Sequence, residues 1–180
     1  GRINNLVFLQ RYRGKSDDWT GEIQVSLTAT KNIIENLADK FAESTENSIV
    51  VVSSVASHFI ADEQALSYHV AKAGLNQLVR YYAVALGPKG IRVNSVSPGT
   101  VLKDESVNFY QENPDLHDLY KKITPLGRMG TSNDVANVVA FLCSPSASFV
   151  SGQNIVVDGG RSLVWHESLA RKLTFLDQPP

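Results

Sequence analysis

Four consecutive β-branched residues, Ile49-Val50-Val51-Val52, closed at once by Ser53 and Ser54, constrain this chain more than any other stretch. An apolar run of that length reads as a buried strand. After a short loop the pattern turns helical over 66–86, with Leu75, Leu78, Val79, Tyr82 and Leu86 in phase and Gly87-Pro88 as the stop signal. Ile3–Leu9 and Ile91–Val96 read as further strands, the latter closed by Pro98-Gly99, and Gln153–Val157 as a short last one. From Asp18, Ile23, Leu27, Ile33, Ile34 and Leu37 fall on one approximate helical face, which predicts a helix reaching about Ser44. Thr131-Ser132-Asn133-Asp134 offers several N-caps for a helix through Leu142. Strands alternating with long helices argue an α/β fold, a doubly wound parallel sheet covered on both faces. Ligands of such sheets bind outside the carboxyl ends of the strands, where Ser54 and Pro98-Gly99 lie.

The 180 residues suit a single domain over 1–180 with a sizeable core. Residues 104–124 are polar, aromatic and weakly helical, which predicts a mobile lid on the substrate side. Residues 165–180 read as a helical turn or two and a tail. A net charge of −1 gives no reason to expect a nucleic-acid or acidic-membrane partner. No apolar run has membrane-spanning length and no signal-peptide pattern opens the chain, so the expectation is a soluble, cytoplasmic protein. The single Cys143 excludes an internal disulfide, fits a reducing compartment and reads as buried packing within a helix.

Tyr68 and Lys72, four apart, share one face of the 66–86 helix. A phenol with a pKa of about 10 is a poor acid or base at neutral pH, and a neighbouring ammonium stabilises its phenolate. With Ser54 at the adjoining strand end to hydrogen-bond a carbonyl oxygen, the set suits carbonyl reduction. The plain alternative is that tyrosine and lysine merely share a helix surface; Tyr-x-x-x-Lys alone is a weak signal. His58 and His69 lack partners at metal-ligand spacing and read as surface or packing residues, so no metal is expected. His117, between Asp115 and Asp118, fits either a substrate contact or a solvated helix face. Arg11, Arg13 and Lys15 cluster past the first strand, where an anionic substrate is one reading and a solvated rim the other.

Taken together, Ser54, Tyr68-His69-Val70-Ala71-Lys72, Ala73-Gly74, Ile91-Arg92-Val93-Asn94-Ser95-Val96-Ser97-Pro98-Gly99 and Val157-Asp158-Gly159-Gly160 closely resemble the short-chain dehydrogenase/reductase family, over roughly Arg2 to Gly160. The resemblance implies a Rossmann-like domain that binds NAD or NADP and interconverts a small-molecule carbonyl and a secondary alcohol. It implies Tyr68 as general acid/base, Lys72 as the residue that lowers its pKa and holds the nicotinamide ribose, and Ser54 as the orienting donor. It also places Pro98, Gly99 and Val101 along the nicotinamide pocket.

Several positions depart from the family. Its Gly-rich phosphate-binding turn has no counterpart: Ile3–Leu9 matches the fourth family strand, so two βαβ-sized pieces, roughly 60–80 residues, are missing ahead of it. On that reading the sheet is N-terminally incomplete and the chain is the C-terminal two-thirds of such an enzyme. Bulky Phe8-Leu9-Gln10-Arg11 stands where the family has Asn-Asn-Ala-Gly. Ser26, in Val25-Ser26-Leu27, replaces the relay asparagine of the catalytic set, and Lys103 takes the place of a threonine that touches cofactor. Two expectations result: an NAD(P)-dependent oxidoreductase, or a degenerate member serving as scaffold or partner subunit. The 66–86 helix carries apolar residues all round, including Tyr81 and Val84. With the family's habit of pairing its two long helices, this predicts a homodimer or homotetramer through 18–44 and 66–86.

Overall fold

The computed structural model describes residues 2–14, 17–43 and 46–174; Lys15, the predicted helix end at Ser44 and residues 175–180 lie outside them. Strands β1 (Asn5–Phe8), β2 (Asn47–Val52), β3 (Ile91–Pro98) and β6 (Asn154–Val157) form one parallel sheet in the order β1-β2-β3-β6. The register sets Val7 beside Val50, Val50 beside Asn94, and Val96 beside Ile155. A separate parallel pair joins β4 (Val101–Leu102) to β5 (Gly130–Thr131).

The β2 run is apolar throughout because both its faces are covered. Ile49 and Val51 pack with Ile34, Leu75, Val79 and Tyr82, from α2 (Ala29–Leu37) and α3 (Leu66–Leu86). Val50 points to the opposite face, against Val96, Ala147 and Leu142, the last from α6 (Ser132–Cys143). Each such fully buried side chain contributes about 1.5–3 kcal/mol. The doubly wound α/β arrangement is therefore present. All four strands point the same way, so their carboxyl ends share one edge.

The predicted 18–44 helix is broken up. It comprises α1 (Trp19–Ile23), a π-helical turn at Gln24–Thr28, α2, and a 3-10 turn at Ala38–Lys40. Asp18 caps it, its side chain accepting from the Gly21 N–H at 2.9 Å. Helical geometry stops at Lys40 because Phe41 turns extended, buries its ring in the core and bridges Ile3. The buried line is also not the predicted one. Of the predicted face Ile34 is buried and Leu27 packs beside it, but Ile33 is exposed, and the other buried positions are Glu22, Ser26 and Thr30.

α3 spans its predicted range, but Gly87 stays right-handed and leads into a 3-10 turn. The left-handed stop, at φ 72°, is Gly90. The 104–124 segment is helical: a 3-10 turn at Asp104–Ser106, α4 (Val107–Glu112) and α5 (Pro114–Ile123). Ring contacts of Tyr110 with Tyr120 and His117 hold the pair together, and Arg161 stacks 5.4 Å from the Tyr120 ring. α6 begins at a capping box in which the Asp134 carboxylate accepts from the Thr131 N–H at 2.7 Å while Arg128 grips it from outside. Past β6, α7 (His166–Leu173) is the last helix described. Among the described residues no helix is long and apolar enough to cross a membrane.

Candidate active site at the carboxyl edge of the sheet

At the end of β2, Ser53 ties strand to helix: its N–H donates to the Val96 carbonyl at 2.7 Å and its Oγ donates to the Lys72 carbonyl at 3.1 Å. Ser54 follows in extended conformation and caps the next turn, Oγ accepting from the Ala56 N–H at 3.1 Å. Its carbonyl accepts from Ser57 Oγ at 2.6 Å, and Ser57 in turn is held by Asn76 Nδ2 at 2.8 Å. Buried Asn76, which also accepts from Ser95 Oγ at 3.1 Å, thereby fixes the Ser54 loop to α3 and β3.

Tyr68 and Lys72 occupy the first two turns of α3. Lys72 is only 4% exposed; its Nζ donates to the Val52 carbonyl at 3.3 Å and stands 5.5 Å from the centre of the Tyr68 ring. The Arg11 guanidinium stacks on the same ring at 5.9 Å. Burial pushes the Lys72 ammonium down to about 8; the Glu22 carboxylate opposes that shift, while Arg11 and Lys103 add to it. At neutral pH the group is still charged, yet close to giving up its proton.

Ser26 lies in the π-helical turn, 1% exposed, its hydroxyl donating to Glu22 Oε1 at 2.5 Å. Gly74 lets this turn approach α3: a Cβ there would stand 2.9 Å from Leu27 Cδ1. Pro98 ends β3, and Gly99 donates to the Val157 carbonyl at 3.0 Å, where a Cβ would stand 2.8 Å from Asp158 Cβ. Val101 opens β4, and Lys103 reaches Glu105 at 4.0 Å, a carboxylate shared with Arg13.

The remaining candidates have local partners. His69 is buried, Nδ1 against the Ala65 carbonyl at 2.9 Å and Nε2 accepting from the Ala61 N–H at 3.0 Å. His58 is exposed and meets Asn154 at 2.7 Å. His117 packs beside Tyr110. Cys143 is half-buried rather than fully so, because it ends α6 at the rim of the second core. No group of three metal-ligating side chains occurs among the described residues. Sequence reasoning missed Glu22, Ser53 and Asn76. Only the i, i+4 spacing of Glu22, Ser26 and Thr30 offered a signal, and that spacing also describes a solvated face.

The sequence pattern of the family described as enoyl-(acyl carrier protein) reductase matches residues 5–162. The chain belongs to the short-chain dehydrogenase/reductase family. It is 37% identical to a tropinone reductase homologue from Arabidopsis thaliana over 164 residues, 88% of this chain and 60% of that protein. A 3-oxoacyl-(acyl-carrier protein) reductase with bound NAD from Brucella melitensis superposes with a TM-score of 0.73 at 30% identity, over 88% of this chain and 62% of that one. A gluconate 5-dehydrogenase from Burkholderia cenocepacia, in complex with NADP and tartrate, gives 0.77 at 25% identity, over 92% and 67%. The chain thus spans a little over half the length of the curated relatives it matches.

Proposed function

We propose that this chain carries the proton-transfer half of an NAD(P)-dependent oxidoreductase that interconverts a small-molecule carbonyl and a secondary alcohol. The observation that carries this reading is the buried Lys72 ammonium, 5.5 Å from the Tyr68 ring and hydrogen-bonded to the Val52 carbonyl at the carboxyl end of β2. The relatives bound to NAD and NADP support it.

The donor chemistry of the site fits a nicotinamide nucleotide. Of the three N–H donors of Lys72, one is used by Val52, which leaves donors for ribose hydroxyls on the Tyr68 side. Lys72 and Tyr68 would hold that ribose, and Pro98, Gly99, Val101 and Lys103 would border the nicotinamide. The bound cofactor supplies the hydride for the carbonyl carbon. The rest of the chemistry belongs to the protein. Ser54 Oγ donates to the carbonyl oxygen and orients it, and Tyr68 Oη passes its proton to that oxygen. The Lys72 ammonium stabilises the phenolate left behind. Ser26 would take, weakly, the place of the family's relay asparagine.

The subunit is proposed to self-associate, as a homodimer or homotetramer. Tyr81 and Val84 leave 64% and 80% of their surface exposed, and Leu27, Leu78 and Tyr81 line an open groove between the Gln24–Thr28 turn and α3. Residues 104–124 are proposed as the substrate-side cover, and the cytoplasm as the place of work.

Calorimetry with NADH and NADPH, on the 180-residue chain and on the chain with any upstream coding sequence added, tests the reading. Binding by either form supports it, and Tyr68→Phe in that form should lose about 10²–10⁴-fold in kcat. Binding by neither form would leave the scaffold reading.

A further inference from the structure

Arg11 is an exposed cation that the proposed chemistry does not use, set over the very ring whose hydroxyl passes the proton. Its neighbours explain how it is held there. Gln10 Nε2 donates to Thr30 Oγ1 at 2.5 Å, Tyr12 Oη donates to the Asp18 carboxylate, and Arg13 Nη2 reaches both oxygens of Glu105 at 3.3 Å. The segment after β1 is thus pinned to α2, to the cap of α1 and to the Asp104–Ser106 turn. Arg11 lies between these anchors and turns to Tyr68, its guanidinium 5.9 Å from the ring centre. That contact uses the charge of the group but not its N–H donors, which make no hydrogen bond or ion pair among the described residues. The acidic groups of the adjoining segments are already taken. Asp17 accepts from the Ser67 N–H at 3.3 Å, Asp18 from Tyr12 and Gly21, and Glu105 from Arg13. The charge is also a feature this sequence adds, since Arg11 stands where the family's Asn-Asn-Ala-Gly ends in a glycine without a side chain.

We propose that Arg11 is a specificity-determining residue that grips an oxyanion, a carboxylate or a phosphate, carried by the substrate near the carbonyl that Tyr68 protonates. The inference rests on the proposed role of Tyr68 and narrows the substrate to an oxo or hydroxy acid or a phosphorylated ketone. A guanidinium presents its donors as a planar fork that matches both oxyanions. Held over the ring, it meets whatever substituent lies beside the reacting oxygen. With Lys103 it also adds to the depression of the Lys72 ammonium, and an oxyanion bound there would offset that repulsion.

The probes are acetoacetate and levulinate, each against its methyl ester, and dihydroxyacetone phosphate against dihydroxyacetone. Binding is followed by carbon-13 NMR of tyrosine-labelled, cofactor-free protein, any upstream coding sequence included, with the Tyr68 signal assigned by its loss in Tyr68→Phe. At least one charged probe should shift that signal at a concentration where its neutral counterpart does not, and the carboxylate and phosphate pairs tell the two oxyanions apart. Arg11→Gln, a change at an exposed side chain, should weaken that binding about 10–100-fold. Arg11→Lys should weaken it less, because the charge stays and only the fork is lost. In the form that binds NADH or NADPH, Arg11→Gln should cut the kcat/KM advantage of the charged probe over its neutral counterpart by a similar factor. Equal shifts within every pair, no shift from any charged probe, or unchanged binding in Arg11→Gln would each overturn the inference. Arg11-dependent binding with no reduction of any probe by either nucleotide would uphold the oxyanion site and count against the Tyr68 reading itself.

Discussion

Replacing Lys72 by methionine should stabilise the cofactor-free protein at neutral pH and do so less as the pH rises. Burial holds the folded-state ammonium at about 8, against 10.5 for an ordinary lysine. The folded pKa is depressed, so between those two values the unfolded chain binds more protons than the folded one. Stability therefore rises with pH across that window, and the burden is fully present below pH 8. The gap corresponds to about 3 kcal/mol at pH 7. Against it stands the hydrogen bond from Nζ to Val52, worth about 1 kcal/mol net. Methionine has similar length and an apolar stem, which fills the site without a cavity. Lys72→Met should thus be more stable than wild type by about 2 kcal/mol at pH 7 and nearly equal to it at pH 9.5. Urea unfolding followed by circular dichroism, for both proteins at both pH values, isolates the effect because other titrations cancel in the double difference. A stability gap that stays constant within about 0.5 kcal/mol between the two pH values would refute the argument.

Packing and capping suggest further perturbations. Thr131→Ala removes the hydroxyl that caps α6 and should cost about 1 kcal/mol in the urea midpoint. Arg128, and then Thr131, hold the Asp134 carboxyl well below the usual carboxylate range, so its contribution is present above pH 4 and is lost as the pH falls from there. The destabilisation by Asp134→Asn should accordingly narrow as the pH is taken from 4 toward 2. Tyr81→Glu places a charge in the groove beside Leu78 and Leu27 and should reduce the assembly to monomers by light scattering at micromolar concentration. A wild-type protein that is already monomeric there would contradict the proposed assembly.

The strands and α3 were legible because burial on both sides demands β-branched residues at successive positions, and Ile49–Val52 has no other reading. The first long helix was legible as a helix but not in its phase. Ile23, Leu27, Ile33, Ile34 and Leu37 approximate a 100° repeat, yet the π turn at Gln24–Thr28 takes in an extra residue and rotates the face of α2. The line that faces inward is Glu22-Ser26-Thr30-Ile34, three of its four members polar. Hydropathy assigns such residues to solvent. Only the partners reveal the burial: Thr30 Oγ1 donates to the Ser26 carbonyl at 2.6 Å and accepts from Gln10 Nε2 at 2.5 Å. The helices of 104–124 were hidden for a different reason. Their cohesion comes from Tyr110 meeting His117 and Tyr120 across a break at Asn113-Pro114, contacts between two short helices that no single helical period records.

Those polar inward positions explain why the site is harder to read than the fold around it. Packing needs apolar residues of roughly the right size, a pattern that repeats and can be counted. The site needs a charge held where charge is costly, and the residues that make this tolerable sit on other elements. Val52 offers a carbonyl from a strand end, and Ser53 anchors the carbonyl of Lys72 itself. Tyr68 and Lys72 are visible in sequence because one helix carries both. Glu22 is invisible because an acid in the first turn of a helix needs no further explanation than the helix dipole. Its burial beside Ser26 shows only in the fold.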